Sequence, residues 1–301
     1  MPLHLFTHPS CLQHDPGPRH PESPRRLETV LARLRQWAPS DEVVWHEADP
    51  ADETQLTRVH PRSYLERLEA VAALGGGRLD GDTVMSVHSF AAARHAAGAA
   101  VAVACEALRG APAFAAVRPP GHHATATVAM GFCLINSVVV AARAALEEGA
   151  ERVLIVDWDV HHGNGTQDLV ETDARIRYVS LHQWPLYPGT GRAEERGVGN
   201  IFNYPRSPGL PRERYLCALD EGVACATDGW HPDLMLISAG FDALAGDPLA
   251  GFTLEPDDFA TLTACWRGMG VPIGSVLEGG YVPERVAEAT VRHLEALSAG
   301  R

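Results

Sequence analysis

Short apolar runs rich in β-branched residues alternate with longer stretches of helical period along most of the chain. Leu3–Phe6, Val43–Trp45, Phe114–Val117, Val153–Val156, Tyr178–Leu181, Leu234–Ser238 and Ile273–Leu277 read as strands. Several are apolar on both faces, the pattern of strands buried in a parallel sheet. Helical candidates fill the intervals at about 24–37, 61–74, 88–109, 133–148, 211–228, 256–268 and 283–298. Pro24, Pro61, Pro211 and Pro283 each stand where a helix would begin, and proline is tolerated there because its missing N–H would be unpaired anyway. The alternation predicts an α/β chain with a single open, mostly parallel sheet and helices on both faces. No repeat, low-complexity linker or charge block interrupts it, so one domain over 1–301 is expected. The proline-rich stretch from His8 to Pro24 reads as an ordered surface loop.

In such sheets ligands bind beyond the carboxyl ends of the strands, which singles out the polar residues that follow each apolar run. Phe114–Val117 leads to Arg118-Pro-Pro-Gly-His122-His123, and Val153–Val156 to Asp157-Trp-Asp159-Val-His161-His162-Gly-Asn164-Gly. Tyr178–Leu181 leads to His182 and Tyr187-Pro-Gly-Thr-Gly, Leu234–Ser238 to Ala-Gly-Phe-Asp242, and Ile273–Leu277 to Glu278-Gly-Gly-Tyr281. Five strand ends therefore carry His, Asp or Tyr beside glycines that let the backbone approach a ligand closely.

Composition narrows the chemistry. All 25 basic residues are Arg, and the absence of Lys excludes Schiff-base, pyridoxal-phosphate, Walker-type and kinase lysine mechanisms. Against 38 acidic residues the formal net charge is −13, which argues against a nucleic-acid partner. The six cysteines lack a C-x-x-C pair and read as reduced thiols of a cytoplasmic protein. Met1 to Ser10 lacks a basic start followed by a long apolar run, so no signal peptide is expected. The apolar stretch Ala91–Leu108 is broken by Arg94, His95 and Glu106, so a membrane span is not expected.

On an extended segment, residues two apart point the same way, so Asp157, Asp159 and His161 can face one site. Two carboxylates and an imidazole suit a divalent transition metal, and Asp242 arrives from another strand end. The plainer reading is that acidic residues after a strand cap the next helix, as Asn164 or Asp168 could. Convergence with Asp242 and two further histidines favours the metal. His122-His123 could be a solvated turn, but lies at the sheet edge where a general base is wanted. Neighbouring carboxylates would raise imidazole basicity. Tyr281 could pack, or could donate to a developing oxyanion. His162 and His182 read as supporting or structural.

Together these motifs resemble the zinc-dependent histone deacetylase superfamily, which includes bacterial deacetylase-like and acetylpolyamine amidohydrolases. The resemblance runs from His20-Pro-Glu-Ser-Pro-Arg-Arg-Leu to Leu-Glu-Gly-Gly-Tyr281, with Met-Gly-Phe132-Cys-Leu-Ile-Asn between, and has a class II flavour. It implies the arginase/deacetylase fold and an amidohydrolase acting on an acylated amine such as acyl-lysine. It also implies one zinc on Asp159, His161 and Asp242, with His123 as general base and His122, paired with Asp157, in support. Tyr281 would share the oxyanion, while Gly131, Phe132 and Tyr187 would line the acyl tunnel. A structural potassium ion is implied at Asp157, Asp159, His161, Ser180 and Leu181. In polyamine-deacetylating members the position of Leu249 can hold Glu, so an uncharged or acyl-lysine-like tail is expected here.

Departures are informative. Asn164, where class I members carry Asp, should raise the basicity of His123 less than a carboxylate would. Tyr187 replaces the commoner Phe. Tyr281 is kept where some class II members carry His, which implies a competent deacetylase. A two-manganese ureohydrolase would need a further carboxylate two residues beyond His161, and Gly163 stands there. A non-catalytic acyl-lysine reader would be favoured by loss of a ligand, of His123 or of Tyr281, and all are present.

Overall fold

The computed structural model describes residues 1–37 and 42–299. In chain order these form β1 (Leu3–Thr7), α1 (Ser10–Gln13), α2 (Pro24–Trp37), β2 (Val43–Glu47), α3 (Glu53–Thr57), α4 (Arg62–Ala73), β3 (Gly76–Arg78) and β4 (Val84–Ser86). There follow α5 (Ser89–Leu108), β5 (Ala113–Ala115), α6 (Ser137–Glu147), β6 (Val153–Asp157), α7 (Asn164–Val170) and β7 (Ile176–Gln183). The remaining elements are β8 (Ile201–Arg206), α8 (Arg212–Thr227), β9 (Leu234–Ala239), α9 (Pro256–Arg267), β10 (Ile273–Leu277) and α10 (Pro283–Ser298). Eight strands form one sheet in the order β2-β1-β5-β10-β9-β6-β7-β8, and every pairing in it is parallel.

Both faces are covered, as β10 makes plain. Gly274 faces Val103 of α5, while the next residue, Ser275, bonds to His293 of α10 at 2.9 Å, so these helices lie on opposite faces. Helix α6 packs beside α5, whereas α2 and α9 flank α10. Alanines 92, 93, 96, 97, 99, 100, 104 and 107 are all buried in α5, and their small side chains let this helix sit close against the sheet. Strands β6, β9 and β10 are buried at every position, which accounts for their largely apolar sequence. Among the described residues no helix is long and apolar enough to cross a membrane.

Several elements differ from the sequence reading. Strand β8 was hidden by Pro205, a residue that edge strands accommodate and β8 ends the sheet. The hairpin β3–β4 went unread despite its Asp80-Gly81 turn signal, because its strands are three residues long and β3 opens with two glycines. Short helices α1, α3 and α7 were too brief to show a period. The His8–Pro24 segment is not simply a surface loop: it contains α1 and buries Ser10, Cys11, His14 and Glu22. The helix expected from 133 starts only at Ser137, where the Asn136 side chain caps the Val139 N–H. Cys133–Ile135 instead belong to the loop beneath the site.

Ile155 lies at the centre of β6, fully buried between Tyr178 of β7 and Leu236 of β9. Ile155→Ala is expected to lower the unfolding free energy by about 2–5 kcal/mol, as read from a urea melt.

Candidate active site

The five strand ends marked by chemistry belong to β5, β10, β9, β6 and β7, which are adjacent in the sheet. Parallel pairing brings their carboxyl ends to one edge. Asp157 closes β6, Asp159 and His161 follow on the turn before α7, and Asp242 follows β9. One ligand atom each from Asp159, His161 and Asp242 lies within 4.8 Å of the others. His161 Nδ1 stands 3.2 Å from Asp159 Oδ1 and 3.0 Å from Asp242 Oδ2. Ligands of a tetrahedral zinc stand about 3.3 Å apart, so these three residues fit such an ion.

Backbone donors hold the other carboxylate oxygens. Asp242 Oδ1 accepts from the Val160 N–H at 2.7 Å, and Asp159 Oδ2 from the Gly279 N–H at 2.9 Å. The cluster is still short of positive charge. Burial, reinforced by Asp159, pushes Asp242 up to about 7. Burial opposes protonation of His161, yet the two carboxylates push it up to about 10. A divalent cation would relieve both, deprotonating the ligands as it bound.

The paired histidines are electrostatically unlike. His122 Nδ1–H donates to Asp157 Oδ2 at 3.1 Å, and that oxygen also accepts from the Tyr178 hydroxyl at 2.9 Å. Burial would lower His122, but Asp159 and Asp157 overcome it and hold the ring well above its usual value. His123 is held well below by burial and by its imidazole neighbours His122 and His161. Its Nδ1–H donates to Asn164 Oδ1 at 2.8 Å, which leaves the Nε2 lone pair for a proton. Asn164 opens α7 but does not cap it, so the capping alternative fails at this residue, and Asp168 lies inside the helix. His162 bonds to Thr190 and Gln167, and His182 to Ser180 and the Gly191 carbonyl. Burial drives them to about 4 and about 3, so both are neutral scaffold groups.

Above these groups lies a cavity of about 200 Å³ lined by His123, His161, Gly131, Phe132, Tyr187, Leu249 and Tyr281, joined by Asp82 and Leu186. Tyr281 stands edge-on to Phe132 at 5.8 Å, and Tyr187 edge-on to His123 at 5.2 Å. Burial, with Asp242 and Asp159 outweighing Arg26, keeps the Tyr281 phenol well above its usual value and so a donor. Phe132 adopts φ 70°, a strained conformation for a residue with a side chain. Thr83, from the β3–β4 turn, stabilises it by accepting the Phe132 N–H at 3.0 Å. The overlooked hairpin thus shapes one wall.

A buried ionic network underlies the site. Glu22 is fully buried and paired with Arg118, Arg26 and His14, all buried in turn. Arg26 also donates to the carbonyls of Glu278 and Gly280. Glu278 accepts the Gly121 N–H at 2.6 Å and the His122 N–H at 3.2 Å, which ties β10 to the histidine loop. Both acids fall inside quoted motifs, but no part was read for either, since a Glu is ordinarily a surface residue unless paired.

A family model of the histone deacetylase domain matches residues 20–297. The chain belongs to the histone deacetylase family. A probable deacetylase of Methanothermobacter thermautotrophicus is 37% identical over 285 residues, covering 92% of this chain and 86% of that protein. The solved HD domain of HDA15 superposes with a TM-score of 0.95 at 34% identity, over 99% of this chain and 88% of that one. An acetylpolyamine aminohydrolase from Burkholderia pseudomallei gives a TM-score of 0.90 at 26% identity, over 99% of both chains. The sheet is accordingly that of the arginase/deacetylase fold, and the enzyme is a deacetylase acting on amides.

Within this deacetylase, a second-metal ligand has no place at position 163. A Cβ on Gly163 would run into Asp157 and the Tyr178 hydroxyl. The Glu22 network has its own consequence. Burial penalises the Glu22 carboxylate, yet Arg118, His14 and Arg26 hold it well below the usual range. The stability it contributes is therefore present above the unfolded carboxylate pKa and lost only as pH falls through the lower folded value. Glu22→Gln, which strands two buried guanidinium groups, is expected to destabilise by about 3–5 kcal/mol in a denaturant melt at pH 7.

Proposed function

We propose that the chain is a zinc-dependent amidohydrolase that removes acetyl or other short acyl groups from acyl-lysine-type substrates, acting as a single cytoplasmic domain. The observation carrying this reading is that one cavity is lined by a neutral His123, a protonated Tyr281 phenol and His161, which clusters with the Asp159 and Asp242 donors. Asp159, His161 and Asp242 would hold a zinc ion, which when bound would supply Lewis acidity, lowering the pKa of a water to about 7 and polarising the substrate carbonyl.

The remaining work falls to side chains. His123, its Nδ1–H engaged by Asn164, takes the proton of the attacking water on Nε2 and passes it to the departing amine. His122, kept cationic by Asp157 and Asp159, steadies the negative charge that develops beside it. The Tyr281 hydroxyl donates to the oxyanion of the tetrahedral intermediate. Phe132 and Tyr187 flank the acyl-bearing methylenes. A potassium ion is proposed at Asp157, Asp159, His161, Ser180 and Leu181. The in-register pairing of Asp157 with Ser180 on β6 and β7 supports it.

Leu249 supports the substrate class. It lines the cavity and offers no charge to a second ammonium of a polyamine, whose unpaired burial would cost several kcal/mol. The net charge of −13 favours cations only diffusely, since surface charge is screened within about 8 Å at physiological salt.

Metal analysis should find about one zinc per chain, and chelation should abolish hydrolysis of acetyl-lysine peptides. Two manganese ions with guanidine hydrolysis would overturn the reading. His123→Ala should cost about 10²–10⁴ in turnover and His122→Ala less, whereas the reverse ranking would exchange their roles. Tyr281→Phe should cost about 10²–10³ with zinc retained. Acetyl-lysine peptides should be turned over faster than acetylputrescine or acetylspermidine, and Leu249→Glu should shift preference toward acetylspermidine. A wild-type enzyme that already prefers acetylspermidine would show that Leu249 is not the selector.

A further inference from the structure

The peptide joining Gly280 to Tyr281 is gripped at both polar ends by charged side chains. Its carbonyl accepts from Arg26 Nε at 2.5 Å, and its N–H donates to Asp247 Oδ2 at 2.8 Å. The Arg26 guanidinium also lies 4.8 Å from the Tyr281 ring centroid. Gly280 sits at φ +116°, and Gly279 precedes it. Two glycines in succession allow the following peptide to rotate at little steric cost, so its orientation must come from outside the loop. The second oxygen of Asp247, Oδ1, accepts the Leu249 N–H at 3.0 Å. One carboxylate, only 6% exposed, thus joins the backbones of two residues that line the cavity, Leu249 and Tyr281.

We propose that Asp247 is a positioning residue: its carboxylate orients the Gly280–Tyr281 peptide so that the Tyr281 hydroxyl points into the cavity, and it holds Leu249 in register with that hydroxyl. The inference rests on the reading of Tyr281 as the oxyanion donor. The chemistry calls for an ionised carboxylate, because both oxygens must accept from backbone N–H groups. An asparagine of the same shape has one accepting oxygen, and its amide nitrogen would face an N–H donor. Arg26, supported by Glu22, fixes only the opposite end of the peptide.

The test is a double-mutant cycle on the metal-loaded enzyme with an acetyl-lysine peptide, using Asp247→Asn, Tyr281→Phe and the double variant. Asp247→Asn should lower kcat by about 10–100-fold with zinc content unchanged, because a small misplacement of a catalytic group is costly. In the Tyr281→Phe background the same change should cost no more than about twofold, since residues acting as a unit are non-additive. Amide exchange provides a readout independent of turnover. The Tyr281 N–H should exchange about tenfold faster in Asp247→Asn, while the Gly279 N–H should not change. An unchanged kcat, an unchanged Tyr281 exchange rate or a full multiplicative loss in the Tyr281→Phe background would each overturn the role of Asp247. Wild-type turnover in Tyr281→Phe alone would instead overturn the functional reading on which it rests. Should Asp247→Asn lose its metal, the cycle is run with Asp247→Ser, whose hydroxyl retains one acceptor.

Discussion

Everything about this site follows from burying carboxylates together. Asp157, Asp159, Asp242 and Glu278 lie fully or almost fully buried where neighbouring parallel strands end. Each would be strongly destabilising without compensation, since an uncompensated buried charge costs about 3–5 kcal/mol. The fold compensates them in layers. Backbone N–H groups of Val160, Gly279 and Gly121 take one oxygen of Asp242, Asp159 and Glu278 respectively. His122 and Tyr178 take Asp157. What remains is the pair of oxygens, Asp159 Oδ1 and Asp242 Oδ2, that face His161 Nδ1, a set of donors that could hold a metal ion.

The same electrostatics separates two histidines that are neighbours in sequence. His122 faces carboxylates and is driven cationic, whereas His123 faces other imidazoles and a neutral amide and is driven neutral. Two groups of one type are thus held in different protonation states by their environments alone. Beneath them, the Glu22–Arg118–Arg26 cluster ties the amino-terminal segment to the Glu278–Tyr281 loop, so the stability of the base of the site and the aim of its tyrosine share one network.

Much of this was legible in the chain. The seven strands named from apolar runs are all present, because most of their positions are buried and apolar runs mark such strands. The candidate metal donors were legible for a different reason: Asp159 and His161 follow β6 within a few residues, and the turn that carries them, with the His161 N–H donating to Asp159 Oδ1, keeps both beside the strand end. The supporting groups were not. Glu22 and Glu278 fall inside quoted motifs, yet what they and Asp247 do lies in partners up to 256 positions away, as between Glu22 and Glu278 through Arg26. Hairpin β3–β4 was missed because three-residue strands carry too little periodicity, although Thr83 holds Phe132 in place.

Local pattern was enough to establish the α/β class, the parallel sheet and the residue types at each strand end, because burial and side-chain alternation act over a few positions. Tertiary structure decided the rest. The chemically marked ends occur in the order β5, β6, β7, β9, β10 along the chain, yet they stand as β5-β10-β9-β6-β7 in the sheet. That rearrangement sets Asp242 beside Asp159 and Tyr281 across from His123. It depends on how crossover helices pack on the two faces of the sheet, a property of no single segment. Likewise the unlike charge states of His122 and His123 arise from which carboxylates and rings surround them, and two adjacent identical residues carry no trace of that difference.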